Sequence, residues 1–358
     1  MVWMRRVAAI AAVVLACGAC SDGDTLPTTT TTTTPSTTAS PGATSPTAPS
    51  TTGPATTVAP RLDVYAGAAP AVVARGQRAE ASLATPDGRT RTYRTYVPAN
   101  RPAGRAPPLI VALHGGFGTG AQFERSSGLD GFAEANGFVV VYPDGVGSRV
   151  DPNLVQTWNG GSCCGPAVAQ KVDDVTFIRL LIDDVARTTG ADRDAVVVTG
   201  HSNGAIMGHR LACELSDRIV AIAVQAGGLE VPTCAPARPV SVLHLHGTAD
   251  TNVPVDGGKG SGAAGVAFRS VKDTMDSAAR AARCAPTPVA QTADNPDLAI
   301  TTWTACASNA TVRLILVRGA THAWMGQETT ASALTGAAYR DFDSSRAAIA
   351  FFVSALRR

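Results

Sequence analysis

Three side chains, taken in chain order, could together move an acyl group. Ser202 lies in Gly200-His201-Ser202-Asn203-Gly204, a Gly-x-Ser-x-Gly pattern. With 35 glycines in the chain, that pattern arises readily by chance, so its setting must decide. An apolar run over residues 195–199 leads straight into the serine, and helical spacing begins near Asn203. A sharp strand-to-helix turn of this kind raises the hydroxyl above the end of a sheet. Serine is a weak nucleophile at pH 7, so it needs an adjacent base, and the base needs an acid to orient it. Of six histidines, only His322, in Arg-Gly-Ala-Thr-His-Ala-Trp, follows the last strand-like run on a loop. Asp250 closes His-Leu-His-Gly-Thr-Ala-Asp just past the run 240–246, and so emerges on the same sheet edge. Asp144 is the rival acid, but it precedes the serine and its Pro-Asp-Gly setting reads as a turn.

The remaining histidines have plainer readings. His201 adjoins the serine in a tight turn that points it elsewhere, and His209 falls on the following helix. His114, His244 and His246 lie in or at the ends of apolar strands, where a satisfied buried imidazole is expected. Acyl transfer also needs two N–H groups aimed at the developing oxyanion. Asn203 offers one, and Gly116 or Phe117, after the run Val-Ala-Leu-His-Gly-Gly, offers the other. Trp158 and Asn159 in Thr-Trp-Asn-Gly-Gly-Ser-Cys-Cys-Gly, and Trp324, are candidate substrate contacts, with Trp158 as an apolar wall.

These residues need a scaffold, and the chain offers one. Apolar runs of strand length, ended by glycine, recur with helical stretches between them: PLIVALHGG, GFVVVYPDG, AVVVTGHS, IVAIAVQAG, VSVLHLHGTAD and TVRLILVRGATH. Runs apolar on both faces belong to parallel strands covered by helices on both sides, so the fold class is α/β with a mostly parallel, doubly wound sheet. A hairpin around Asp87-Gly88 should add antiparallel edge strands. Helices are expected over 271–283 and, with an Asp or Ser cap, in DSSRAAIAFFVSALRR at the C-terminal end.

Thirty Lys and Arg balance 28 Asp and Glu, and no basic cluster stands out, so nucleic acid is not an expected partner. Arg5 and Arg6 precede a short apolar run, too short to span a membrane, which reads as an export signal. Val14-Leu15-Ala16-Cys17 resembles a bacterial lipobox, with Cys17 as the lipid acceptor and Cys20 as the alternative. Residues 25–60 are nearly all Thr, Pro, Ser, Ala and Gly and should form an extended, disordered tether. The expected organisation is a lipoprotein signal and anchor over 1–20, a linker over 21–60 and a catalytic domain over 61–358. Export permits disulfides. Positions in the expected elements suggest Cys213–Cys234 and Cys284–Cys306, leaving Cys163 and Cys164 as a vicinal pair or reduced. The spacing of these six cysteines does not suit zinc, and the chemistry calls for no metal and no cofactor.

The motifs LHGG, VYPDG, TWNGGSCCGPA, VDDVTFI, GHSNGAIMGHRLACEL, HLHGTAD and THAWMG together resemble the extracellular poly(3-hydroxybutyrate) depolymerase and feruloyl esterase family of α/β-hydrolases, including its bacterial lipoprotein members. The resemblance runs from about Leu109 to the end of the chain. It implies an α/β-hydrolase fold with Ser202 as nucleophile, His322 as base and Asp250 as acid, matching the residue reading. Polymer depolymerases of this kind often carry Cys at the position of Gly116 and Pro at that of Met325, so the motifs specify family more than substrate. The chain ends within one helix of His322, which leaves no room for a polymer-binding module, and soluble or amorphous esters are therefore expected over crystalline polymer. Short-chain esters, hydroxybutyrate oligomers or polyester are the expected substrates, and feruloyl or acetyl-xylan esters the alternative. A ligand-binding surface lipoprotein without turnover and a serine peptidase are the competing classes. Oligomeric state is left open.

Overall fold

In chain order the elements are β1 (Gln77–Ala84), β2 (Thr90–Val97), β3 (Pro108–Leu113), α1 (Gly120–Ser127), α2 (Leu129–Asn136), β4 (Val139–Pro143), α3 (Gly165–Ala169) and α4 (Asp174–Thr189). There follow β5 (Asp192–His201), α5 (Asn203–Glu214), β6 (Ile219–Gln225), β7 (Ser241–Gly247), the short pair β8 (Gly258–Lys259) and β9 (Ala267–Phe268), and α6 (Val271–Ala281). The chain closes with β10 (Val289–Gln291), β11 (Leu298–Trp303), β12 (Val312–Val317), α7 (Ser332–Thr335) and α8 (Ser344–Leu356). This computed structural model describes residues 60–101, 103–328 and 332–357. The expected signal, the anchor at Cys17 or Cys20 and nearly all of the linker lie outside the described residues.

Ten strands form one sheet in the order β1-β2-β4-β3-β5-β6-β7-β12-β11-β10. The six central strands, β4 to β12 in that order, pair in parallel. They are the six apolar runs of the sequence. Their side chains alternate between two buried layers, which is why the runs lack polar alternation. On one face Leu109, Val111, Val139, Val196 and Val198 meet Phe177 and Leu181 of α4, Leu211 of α5 and Met275 of α6. On the other, Ile110, Val140 and Val197 meet Phe123 of α1, Phe132 of α2, and Phe351 and Phe352 of α8. Helices on both faces of a parallel sheet, with a serine turn after a central strand, make this an α/β-hydrolase fold.

The hairpin at Asp87-Gly88 forms β1 and β2 and adds an antiparallel edge. A second antiparallel edge, β10 and β11 beside β12, completes the sheet on the other side. The stretch after Thr119 forms two helices, because Gly128 takes φ 63° and ends α1 where α2 begins. Asp343 caps α8 by accepting from the Arg346 amide. Disulfides join Cys213 to Cys234, Cys284 to Cys306, and the neighbours Cys163 and Cys164. No helix among the described residues is long and apolar enough to cross a membrane.

Candidate active site

The serine turn is built by what glycine leaves out. Ser202 itself sits at φ 54° and ψ −120°, a conformation that costs an L-residue of order 1–3 kcal/mol and is held by its surroundings. Its amide donates to the Gln225 carbonyl at 2.9 Å, tying the turn to the end of β6. A Cβ on Gly200 would lie 2.5 Å from the Gly204 carbonyl oxygen, and one on Gly204 would lie 2.5 Å from that of His114. The turn can fold this tightly, and α5 can press this closely on β3, only with glycine at both positions.

His322 and Asp250 arrive from the loops after β12 and β7, the two strands that lie beyond β6 from the serine strand β5. His322 Nε2 lies 2.9 Å from Ser202 Oγ, and its Nδ1 lies 2.7 Å from Asp250 Oδ2. The structure therefore brings the three sequence-assigned residues into one hydrogen-bonded row. Asp250 Oδ1 accepts from the amides of Asn252 at 2.9 Å and Val253 at 3.0 Å. Burial alone would raise the Asp250 carboxyl, but the imidazole N–H groups of His246 and His322 outweigh it and hold the group well below the usual carboxylate range. Asp250 thus stays an acceptor toward His322 Nδ1.

Asp144, the rival acid, is engaged elsewhere. Its Oδ1 accepts from the Gly120 amide at the start of α1, and its Oδ2 from the Thr92 hydroxyl. His114 is a satisfied buried imidazole: it contacts the Gly145 amide and Gly115 carbonyl, and burial lowers it to about 4.

Asn203 stands at the first position of α5, where a helical amide has no acceptor in its own helix. Of the two amides considered after β3, that of Phe117 donates to the Gln156 carbonyl at 2.7 Å. The Gly116 amide has no acceptor among the described residues, and an ideal Cβ on Gly116 would lie 3.6 Å from that of Asn203.

Two of the three expected substrate contacts, Trp158 and Trp324, are corrected by the structure, while Asn159 is half-buried. Trp158 is fully buried, donates from Nε1 to the His114 carbonyl at 3.0 Å and stacks on Phe177. It cannot be a wall of an open cleft; its indole N–H finds a partner inside, as a buried tryptophan requires. Asn159 spends its amide on the Val172 carbonyl, and its side-chain oxygen accepts from Gly161. Trp324 is buried against Phe123 and donates to Ser345 Oγ.

Two positioning residues escaped the sequence reading. His201 does not point away: its Nε2–H donates to the His322 carbonyl at 2.6 Å, and the two rings are 4.9 Å apart. Gln225 holds the same loop, donating to the Ala323 carbonyl and accepting from the Met325 amide. A lone polar residue ending the apolar run of β6 was the signal, since a buried amide must find partners. Behind them, the buried ion pair of Arg91 with Asp174 anchors the loop at Asn159, whose amide donates to Asp174 Oδ2. Among the described residues no group of His, Cys, Asp or Glu side chains is arranged to hold a metal ion.

No protein-family model matches the chain. It is 34% identical over 175 residues to "Putative esterase NocK" of Nocardia uniformis subsp. tsuyamanensis, covering 48% of each chain. It is 29% identical over 226 residues to Feruloyl esterase B of Piromyces equi, covering 61% of this chain and 40% of that one. The chain thus spans about half or less of the length of these curated relatives. Among solved structures, an acetyl xylan esterase from Aspergillus awamori aligns with a TM-score of 0.47 at 17% identity, over 67% of this chain and 93% of that one.

Proposed function

We propose that this chain is an exported serine esterase that hydrolyses carboxylic esters through Ser202, His322 and Asp250. The observation that carries this reading is the row Asp250–His322–Ser202, which ends beside the open amides of Gly116 and Asn203. The names of the curated relatives support the same class.

In the proposed reaction the Ser202 Oγ proton passes to His322 Nε2 as Oγ attacks the ester carbonyl. The carbonyl oxygen takes the negative charge between the Gly116 and Asn203 N–H groups. Asp250 balances the imidazolium. The tetrahedral adduct collapses as His322 gives its proton to the leaving alkoxide, and an alcohol departs from the acyl-enzyme. Water then repeats the sequence, losing a proton to His322, and the carboxylic acid leaves with Ser202 restored. No step requires a cofactor.

Short acyl chains are the proposed substrates, as soluble esters or hydroxybutyrate oligomers. Phe117, 48% exposed beside Gly116, is the proposed apolar contact for the acyl group in place of Trp158. A feruloyl or acetyl ester on a polysaccharide is the second reading, and the name Feruloyl esterase B favours the feruloyl ester. The domain over 61–358 is proposed to hang from a lipid on Cys17, with Cys20 as alternative acceptor; Cys17→Ala should abolish lipid labelling, and persistent labelling would move the anchor to Cys20. The functional test is hydrolysis of p-nitrophenyl butyrate, methyl ferulate, acetylated xylan and hydroxybutyrate oligomers by the full chain. Activity on one or more of these, absent in Ser202→Ala, is expected; inactivity on all of them, or equal activity in the variant, would contradict the reading.

A further inference from the structure

Three buried histidines outside the proposed reaction form a row that ends at its acid. His209 Nε2 on α5 lies 3.0 Å from His244 Nδ1 on β7, and His244 Nε2 lies 3.0 Å from His246 Nδ1. His246 Nε2 in turn lies 2.8 Å from the Val253 carbonyl oxygen and 3.5 Å from Asp250 Oδ2. All three rings are buried, where three apolar side chains would avoid the cost of desolvating imidazoles.

The order of protons follows from the end of the row. A carbonyl oxygen and a carboxylate oxygen only accept, so His246 Nε2 carries a proton. One arrangement then satisfies every contact without placing a charge on the row. His246 Nδ1 accepts from His244 Nε2–H, and His244 Nδ1 accepts from His209 Nε2–H. Burial lowers His209 to about 3 and, with the neighbouring imidazoles, holds His244 far below its ordinary range, so both are neutral near pH 7. The ionisable groups around His246 are His244 and Asp250, with His201 and His322 beyond them.

The Val253 carbonyl that His246 holds belongs to the turn whose amides at Asn252 and Val253 bind Asp250 Oδ1. The same His246 N–H faces Oδ2, the oxygen that accepts from His322. We propose that His246, its tautomer locked by His244 and His209, is a positioning residue that aims Asp250 Oδ2 at His322 Nδ1. The row also runs from α5, the helix that follows Ser202, to the turn that carries Asp250, so it ties two parts of the site together. The proposal rests on the acid role given to Asp250 above.

Long-range 1H–15N NMR of the full chain labelled at histidine nitrogen tests the proton order in the wild type at pH 7. Nε2–H tautomers at His209, His244 and His246 are expected; an Nδ1–H or doubly protonated His246 would overturn the proposal. Kinetics on p-nitrophenyl butyrate test the consequence. His246→Leu should lower kcat about tenfold, the scale of one hydrogen bond to a charged group, with KM held within about twofold. His246→Gln, whose amide reaches toward the Nε2 position, should recover most of that loss. Wild-type kcat in His246→Leu alongside an inactive Ser202→Ala would overturn this proposal and leave the esterase reading standing; an inactive wild type would overturn both. If His246→Leu does not fold, the wild-type tautomers decide.

Discussion

A single methyl group at Gly204 tests whether α5 must press on β3 for the site to work. An alanine Cβ there would overlap the Leu113 carbonyl oxygen and lie 2.5 Å from that of His114, where ordinary contact begins at 3.4 Å. Both obstacles are backbone, so relief requires α5 to move by roughly 1 Å, and overpacking of this kind costs about 1–3 kcal/mol. Alanine's helix propensity returns up to about 1 kcal/mol, so the net loss should be about 0–2 kcal/mol at full return and at most about 3 kcal/mol. The activity loss should be larger, about a hundredfold, because a misplacement of 1 Å is enough to spoil attack geometry. The shift carries the Asn203 amide away from Gly116 and moves Ser202 against His322. Gly208→Ala on the same helix is the comparison: its Cβ would meet the Cγ1 methyl of buried Val224 at 2.9 Å, so it crowds one stiff side chain in the core and not the backbone beside Ser202. Urea unfolding and p-nitrophenyl butyrate kinetics on both variants decide the matter. A Gly204→Ala protein with wild-type kcat and stability would refute the close-approach argument.

Ser202→Ala should lose turnover and keep its melting temperature, since it removes a reacting group and little packing. Asp250→Asn should lower kcat by about 10⁴, because the amide cannot balance the imidazolium or hold its tautomer. Asp174→Ala leaves the Arg91 guanidinium buried without its carboxylate and should destabilise the fold by about 3–5 kcal/mol in chemical unfolding. Stability should also fall on acidification. His114 and His209 are buried and lowered to about 4 and about 3 from 6.5, so below pH 6.5 the unfolded chain binds more protons than the folded one. Each costs about 1.4 kcal/mol per pH unit down to its folded value. His201, also lowered to about 3, and His244 act in the same direction, while Asp130, raised to about 6 by burial, opposes them together with Asp174 and Asp343, whose carboxyls burial also raises. A thermal midpoint at pH 5 equal to or above that at pH 7 would contradict this balance.

Those parts of the molecule governed by strand pattern and chain order were legible in the sequence. Six apolar runs became six parallel strands, because a strand buried on both faces leaves an unbroken apolar signature. The positions of Ser202, Asp250 and His322 at strand ends brought them to one edge of the sheet. What could not be read was the direction of side chains in irregular segments. Trp158 and Trp324 have the composition of cleft walls, yet each turns inward to a hydrogen-bond acceptor that no local pattern announces. Adjacency to Ser202 suggests that His201 points elsewhere, yet its partner, the His322 carbonyl, lies 121 positions away. The second antiparallel edge carries little sequence signal, because β10 has only three residues and β11 mixes polar with apolar positions.

The most direct test of the central claim is to trap the acyl-enzyme. The full chain, mixed with excess p-nitrophenyl butyrate and quenched in acid within the first turnovers, is digested and mapped by mass spectrometry. The account predicts one butyryl group per chain, on the peptide containing Ser202, accumulating with a burst of p-nitrophenol and absent from Ser202→Ala. A butyryl group on another residue, or sustained turnover with Ser202 unmodified and replaceable, would contradict it.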